Sequence, residues 1–163
     1  MIAKAAGRRR VMREEHEWRP AEMRGAELAY AERDFHINSP DRIVARVDRV
    51  YKRTDSVHVV TELKRRDRAR VFESDRIELS VQRLAVAQSG VPVSDTGYVI
   101  VEGAAGRRTA LPVRLLPDSA VIGLAQRFRQ LMAGLVQPNR ANRAAMCTKC
   151  AYRKDCRPDV LRS

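Results

Sequence analysis

Aromatic side chains are scarce: Phe, Trp and Tyr make up 5% of the 163 residues, with a single tryptophan. A surface that stacks many bases on rings therefore has little to draw on, and Trp18, Tyr51 and Tyr152 are the only candidates for it. Long apolar runs are missing too. No stretch approaches the roughly 20 apolar residues of a membrane-spanning helix. The basic start (Lys4, Arg8, Arg9, Arg10) leads into no uninterrupted apolar segment of the secretory kind. The expectation is a soluble, cytoplasmic protein with no membrane partner. Cysteines number three, Cys147, Cys150 and Cys156. An odd count crowded at one end is a poor disulfide framework for a chain this size; it implies a reducing compartment and metal or cluster ligation.

What is present is charge of one sign. Lys and Arg total 32 against 20 Asp and Glu, a formal charge of +12, and only five of the 32 are lysines. Arginine's planar fork suits phosphate oxygens, so the excess points to a polyanion. Arginine- and alanine-rich chains are also what GC-rich codons encode, so charge alone leaves nucleic acid and plain solubility both open. At 44% hydrophobic, the chain can bury one ordinary core, which excludes disorder as a description of the whole.

A single domain over 1–163 is expected, with a basic arm or first helix at 1–19, a core at 20–136 and a cysteine-containing tail at 137–163. Residues 20–35 carry AEMRGAELAYAERDF, rich in helix formers, and the spacing of Met23, Leu28 and Tyr30 or Phe35 predicts a helix. A turn at 38–41 follows, and the period changes to two. Residues 42–51 and 57–63 read as an antiparallel hairpin, with His58, Val60, Glu62 and Lys64 on one face of its second strand. Ser74 and Asp75 can cap a helix to about Ser89, with Ile77, Val81, Leu84 and Ala85 inward and Gln82 on the flank. A buried strand is expected at 96–102 and a weaker one ending near Val113. A long helix opens after Pro117, with Val121, Leu124, Phe128, Leu131, Met132 and Leu135 as a packing stripe. The order of elements is that of an α/β or α+β domain.

Chemistry gathers at Asp48, Glu62 and Lys64. Asp48 lies near the end of the first hairpin strand, and Glu62 and Lys64 flank Leu63 at the end of the next. Carboxylates converging from adjacent strands make an oxygen-rich site for a hard cation such as Mg²⁺ or Mn²⁺. A lysine two residues along orients a water or offsets charge on a phosphate oxygen. That geometry suits metal-assisted phosphodiester hydrolysis. Just beyond, Arg65, Arg66, Arg68 and Arg70 can track a phosphate backbone, or can simply form a solvated loop.

Asp48, then Glu62-Leu63-Lys64 ending a strand, then Gln82 on a helix, then C-x2-C-x5-C at Cys147, Cys150 and Cys156: this ordered set resembles the PD-(D/E)XK nuclease superfamily. More narrowly it is similar to the RecB-like, CRISPR-associated exonucleases that carry an iron–sulfur cluster. The resemblance covers about residues 25–157. It implies a restriction-endonuclease-like core, a mixed sheet flanked by helices. It further implies Asp48, Glu62 and the Leu63 carbonyl as metal ligands, Lys64 as the catalytic lysine, and Gln82 as support for the site. The three cysteines would then hold a 4Fe-4S cluster, Zn²⁺ being the alternative. The implied activity is a DNA exonuclease, favouring single-stranded ends, with CRISPR integrase proteins as partners or a role in DNA repair.

The sequence departs from the family pattern in four places. Val47 stands where a proline is common before Asp48; Ala29 occupies the place of the motif-one histidine after Gly25; no cysteine precedes Cys147; and Val86 stands where an aromatic often follows the helical glutamine. For the missing first metal ligand, Glu27 is the nearest substitute, with Glu32 and His36 as others. His16 or His36 can complete the cysteine set. The competing function is a catalytically degenerate nucleic-acid-binding or accessory protein on the same scaffold.

Overall fold

The structure is a computed structural model that describes residues 18–38, 40, 42–104, 106–139, 144–148, 150, 151 and 153. The chain divides into two compact units, Met1–Ala125 and Gln126–Ser163. The first is built on a five-stranded sheet in sequential order: β1 (Glu27–Ile37), β2 (Ile43–Lys52), β3 (His58–Arg65), β4 (Thr96–Glu102) and β5 (Arg108–Arg114). All neighbours are antiparallel except β3 and β4, which run parallel. A parallel pair needs a crossover, and α1 (Glu73–Ala87) supplies it. This is a mixed α+β sheet with flanking helix, as the sequence implies.

Each face of the sheet has its own core. On the α1 face, Val47, Val50, Val60, Val99 and Val101 pack under Leu79, Ala85 and Val86. On the other face, Tyr51, Val59, Tyr98 and Ile100 lie under Trp18 and Met23. Burial on both faces explains the near-continuous apolar run of β4. Gly97 belongs there because a Cβ would meet the Val60 carbonyl oxygen at 3.0 Å. Asp75 caps α1 from its first turn, accepting the Phe72 N–H at 2.8 Å.

Two expectations are corrected. The helix at 20–35 is absent: a short 3-10 turn covers Ala21–Met23, and β1 takes the rest. Tyr30, Phe35 and Ile37 pack against the main core, and the long ladder with β2 supplies hydrogen bonds that helix-forming composition does not outweigh. The second concerns α2 (Asp118–Met132). Its stripe is not packing among the described residues: Val121 is buried, but Leu124, Phe128, Met132 and Leu135 are exposed. The first unit's core takes only Val121 and the half-buried Ile122 from this helix. A last short helix, α3 (Ala144–Thr148), lies in the second unit. Among the described residues no helix is long and apolar enough to cross a membrane.

Candidate active site

The site forms where β2 and β3 part. Their ladder runs from Lys52–His58 to Arg49–Thr61 and stops there, while β3 continues beside β4 to Arg65. Past the last rung the Leu63 N–H donates to Asp48 Oδ2 at 3.2 Å. A side-chain carboxylate thus takes the place of a strand carbonyl, and it brings Asp48 beside Glu62-Leu63-Lys64.

Helix α1 holds the opposite side of that cluster. Glu62 is 5% exposed. Gln82 Nε2 donates to Glu62 Oε2 at 2.9 Å and to the Arg46 carbonyl at 3.2 Å. Lys64 Nζ donates to Glu62 Oε1 and to Glu78 Oε2, both at 2.8 Å. Burial pushes the Glu62 carboxyl up; the bonds from Lys64 and Gln82 pull it down, Asp48 and Glu78 push it up again, and the balance lies above the usual carboxylate range. Burial alone pulls the Lys64 ammonium down, but Glu62 and Glu78 outweigh it and hold it above its ordinary value. Glu78 escaped the sequence reading, although it lies one helical turn before Gln82 and so on the same face. Gln82 Oε1 is buried with no hydrogen-bond partner. Such an acceptor is costly to leave bare and suits a donor such as a metal-bound water.

The substitutes for the first ligand separate clearly. Glu27 opens β1 opposite Lys52, four residues along β2 from Asp48, or about 13 Å at strand rise. His36 is exposed and lies opposite Val44. Glu32 sits between the Ala31–Arg49 and Arg33–Val47 rungs, on the rung of Asp48. Both line a cavity of about 90 Å³ together with Arg49, Thr61 and Leu63. Glu32 has φ +47°, an uncommon conformation for a side chain of this kind. Its carboxylate accepts from Arg46 Nε at 3.3 Å. Among the described residues no group of three or more His, Cys, Asp and Glu side chains gathers around one point. The available donors are two carboxylates, the Leu63 carbonyl and an unpartnered amide oxygen. That all-oxygen set, with more carboxylates than the one lysine offsets, fits a hard divalent cation.

The basic run beyond β3 divides. Arg65, Arg68 and Arg70 are exposed, Arg65 pairing with Glu102 at 3.2 Å. Arg66 turns inward: its two terminal nitrogens donate to Asp75 at 2.7 and 2.5 Å, and one also reaches the Arg70 carbonyl at 2.8 Å. Trp18 and Tyr51 are buried and meet edge to face, so neither presents a ring for base stacking. His58 is buried against Tyr30 with Nδ1 at 3.2 Å from the Pro92 carbonyl, a packing role. In the second unit, Cys147 and Cys150 bracket a turn in which the Cys150 N–H donates to the Cys147 carbonyl at 3.3 Å. Both are free thiols, Cys150 the more exposed. Cys156, His16 and Tyr152 lie outside the described residues.

A mixed sheet whose parallel central pair carries Glu-x-Lys on one strand, with an aspartate on the next strand over, defines a restriction-endonuclease-like domain. The family model of the PD-(D/E)XK nuclease superfamily matches residues 2–157, and the chain belongs to that superfamily. Nucleases of this superfamily typically use Mg²⁺ or Mn²⁺. No curated protein matches the chain. Its fold is similar to the crystal structure of SSO0001, with a TM-score of 0.50 and 14% identity over 80% of this chain and 57% of the other. The chain spans a little over half the length of that neighbour, and at this identity the likeness speaks for the fold alone.

Proposed function

We propose that the protein is a Mg²⁺- or Mn²⁺-dependent deoxyribonuclease that degrades DNA from its ends, with single strands preferred. The observation that carries this reading is the meeting of Asp48, Glu62, Lys64 and Gln82 where β2 and β3 part. Asp48, Glu62 and the Leu63 carbonyl would hold the cation, and Glu32, which shares a cavity with Asp48 and Leu63, is a better candidate than Glu27 for a further carboxylate. The bound ion supplies an activated water and offsets charge on the scissile phosphate. Lys64 holds a proton donor at Nζ beside that position. Gln82 fixes Glu62 through Oε2. Arg65, Arg68 and Arg70 lead the phosphate backbone toward the cluster, whereas Arg66 is committed to Asp75.

The cysteine turn extends the proposal. Cys147, Cys150 and Cys156 hold a 4Fe-4S cluster or Zn²⁺, which the likeness to CRISPR-associated RecB-like exonucleases suggests. Trimming of DNA ends beside an integrase is the corresponding role. Anaerobically purified protein is expected to carry iron with a broad visible absorption, or else zinc. A preparation with neither metal, and unchanged by Cys147→Ser, removes this part of the reading.

The second reading, a binding or accessory protein that no longer cuts, is favoured by the register that leaves Glu27 about 13 Å from Asp48. One experiment separates the two. End-labelled single-stranded and duplex DNA is incubated with wild type and Lys64→Ala, with Mn²⁺, Mg²⁺ or EDTA. Metal-dependent degradation absent from the variant supports the nuclease. Salt-sensitive binding without cleavage by either protein supports the accessory reading.

A further inference from the structure

Two residues on α1 and two on β3 fit together by length. Glu78 and Gln82 are one helical turn apart, about 6 Å of rise, and Glu62 and Lys64 are two strand residues apart, about 6.6 Å. The helix residues therefore meet the strand residues one to one. Gln82 Nε2 takes Glu62 Oε2 at 2.9 Å, and Glu78 Oε2 takes Lys64 Nζ at 2.8 Å. Between them the ammonium also reaches Glu62 Oε1 at 2.8 Å. Lys64 is thus shared by two carboxylates. One of them is a proposed metal ligand, and the other, Glu78, is half-exposed and stands on a different element.

We propose that Glu78 is a positioning residue for Lys64: it keeps the ammonium fixed when the Glu62 carboxylate turns to a divalent cation. A carboxylate that accepts from Lys64 and ligates a cation with the same oxygen is divided between two positive charges. Without Glu78 the lysine has one anionic partner in the cluster and competes with the cation for it. With Glu78 the lysine keeps an anchor outside the metal's ligands, and its Nζ stays where a phosphate oxygen approaches. The role rests on the nuclease reading for its chemical meaning, and on the two hydrogen bonds of Lys64 for the coupling itself.

The test uses Glu78→Gln, which keeps size and one acceptor oxygen but removes the charge. In steady-state cleavage at saturating Mn²⁺, the variant is expected to lose about tenfold in kcat with KM for DNA changed less than twofold and an unchanged melting temperature. Cleavage within twofold of wild type, or a loss confined to KM, overturns the role. A calorimetric cycle of Mn²⁺ binding reads the same coupling without turnover. Glu78→Gln is expected to weaken Mn²⁺ several-fold in the wild-type background and less than twofold in a Lys64→Met background. Equal weakening in both means that Glu78 acts as a bare charge, and overturns the proposal. If wild type does not cut DNA, the nuclease reading falls while the binding cycle still decides for or against the clamp.

Discussion

Glu62→Gln is expected to abolish metal-dependent cleavage while leaving the fold at least as stable as wild type at neutral pH. The chemistry comes first. Glu62 is the one carboxylate bonded to both Lys64 and Gln82. Losing an anionic ligand removes several kcal/mol of charge stabilisation, and about 4 kcal/mol is a thousandfold in rate. Stability runs the other way. Burial holds the Glu62 carboxyl above its ordinary value of 4.5, so the folded chain binds that proton more tightly than the unfolded chain. Stability is then lost as pH rises from about 4.5 through the folded value, because the buried group must ionise. Glutamine has no such step; its one amide oxygen accepts from Lys64, and its NH2 can donate to the otherwise unpartnered Gln82 Oε1 once that amide turns over. Melting curves at pH 4.5 and 7.5 should show a smaller downward difference for the variant than for wild type. Cleavage within tenfold of wild type would remove Glu62 from the reaction.

Asp75→Ala is expected to damage the fold substantially, and to act through an arginine that composition alone assigns to DNA. Asp75 is 2% exposed and accepts both terminal nitrogens of Arg66 as well as the Phe72 N–H that opens α1. Burial pushes its carboxyl up, but Arg66 and the Phe72 N–H outweigh that and hold it below 3.8. Removing one partner strands a half-buried guanidinium, a loss of about 3 kcal/mol, or about 10 °C in Tm for a domain of this size. The pair's contribution is complete above about pH 4 and fades as pH falls through the lower folded value. The variant should therefore show a flatter acid limb. Arg66→Ala should share most of the loss, and the double variant should fall well short of the sum. A drop under 2 °C would mean that the pair is ornamental.

Strands β3 and β4 and helix α1 were legible because each keeps one period along its length, and β2 was legible as β3's hairpin partner from the turn between them. The convergence of Asp48, Glu62, Lys64 and Gln82 followed from them. β1 was not legible, and the reason lies in its rungs. Tyr30 packs on the main core, and so do Phe35 and Ile37, yet 30 differs from 35 and 37 in parity. In β2 the same switch falls between Val47 and Val50. The shared irregular rung holds Glu32, at positive φ, and Asp48, while Ala29 absorbs a register shift further along. A strand that changes face midway shows no alternation to count, and Ala-Glu-rich composition then reads as helix. Glu78 was missed for a different reason. A glutamate on an exposed helix face is the commonest of sights, and only its partner, Lys64 on another element, singles it out.

Asp48 closes the gap where two strands separate, so it serves the architecture whether or not DNA is cut. Glu62 is different: a buried carboxylate held against its inclination to protonate contributes little that a neutral amide does not. A lineage that abandoned cleavage would be free to discard Glu62 early and would still need Asp48. On the proposed nuclease reading, a retained aspartate then speaks for the sheet, and a retained glutamate for the chemistry.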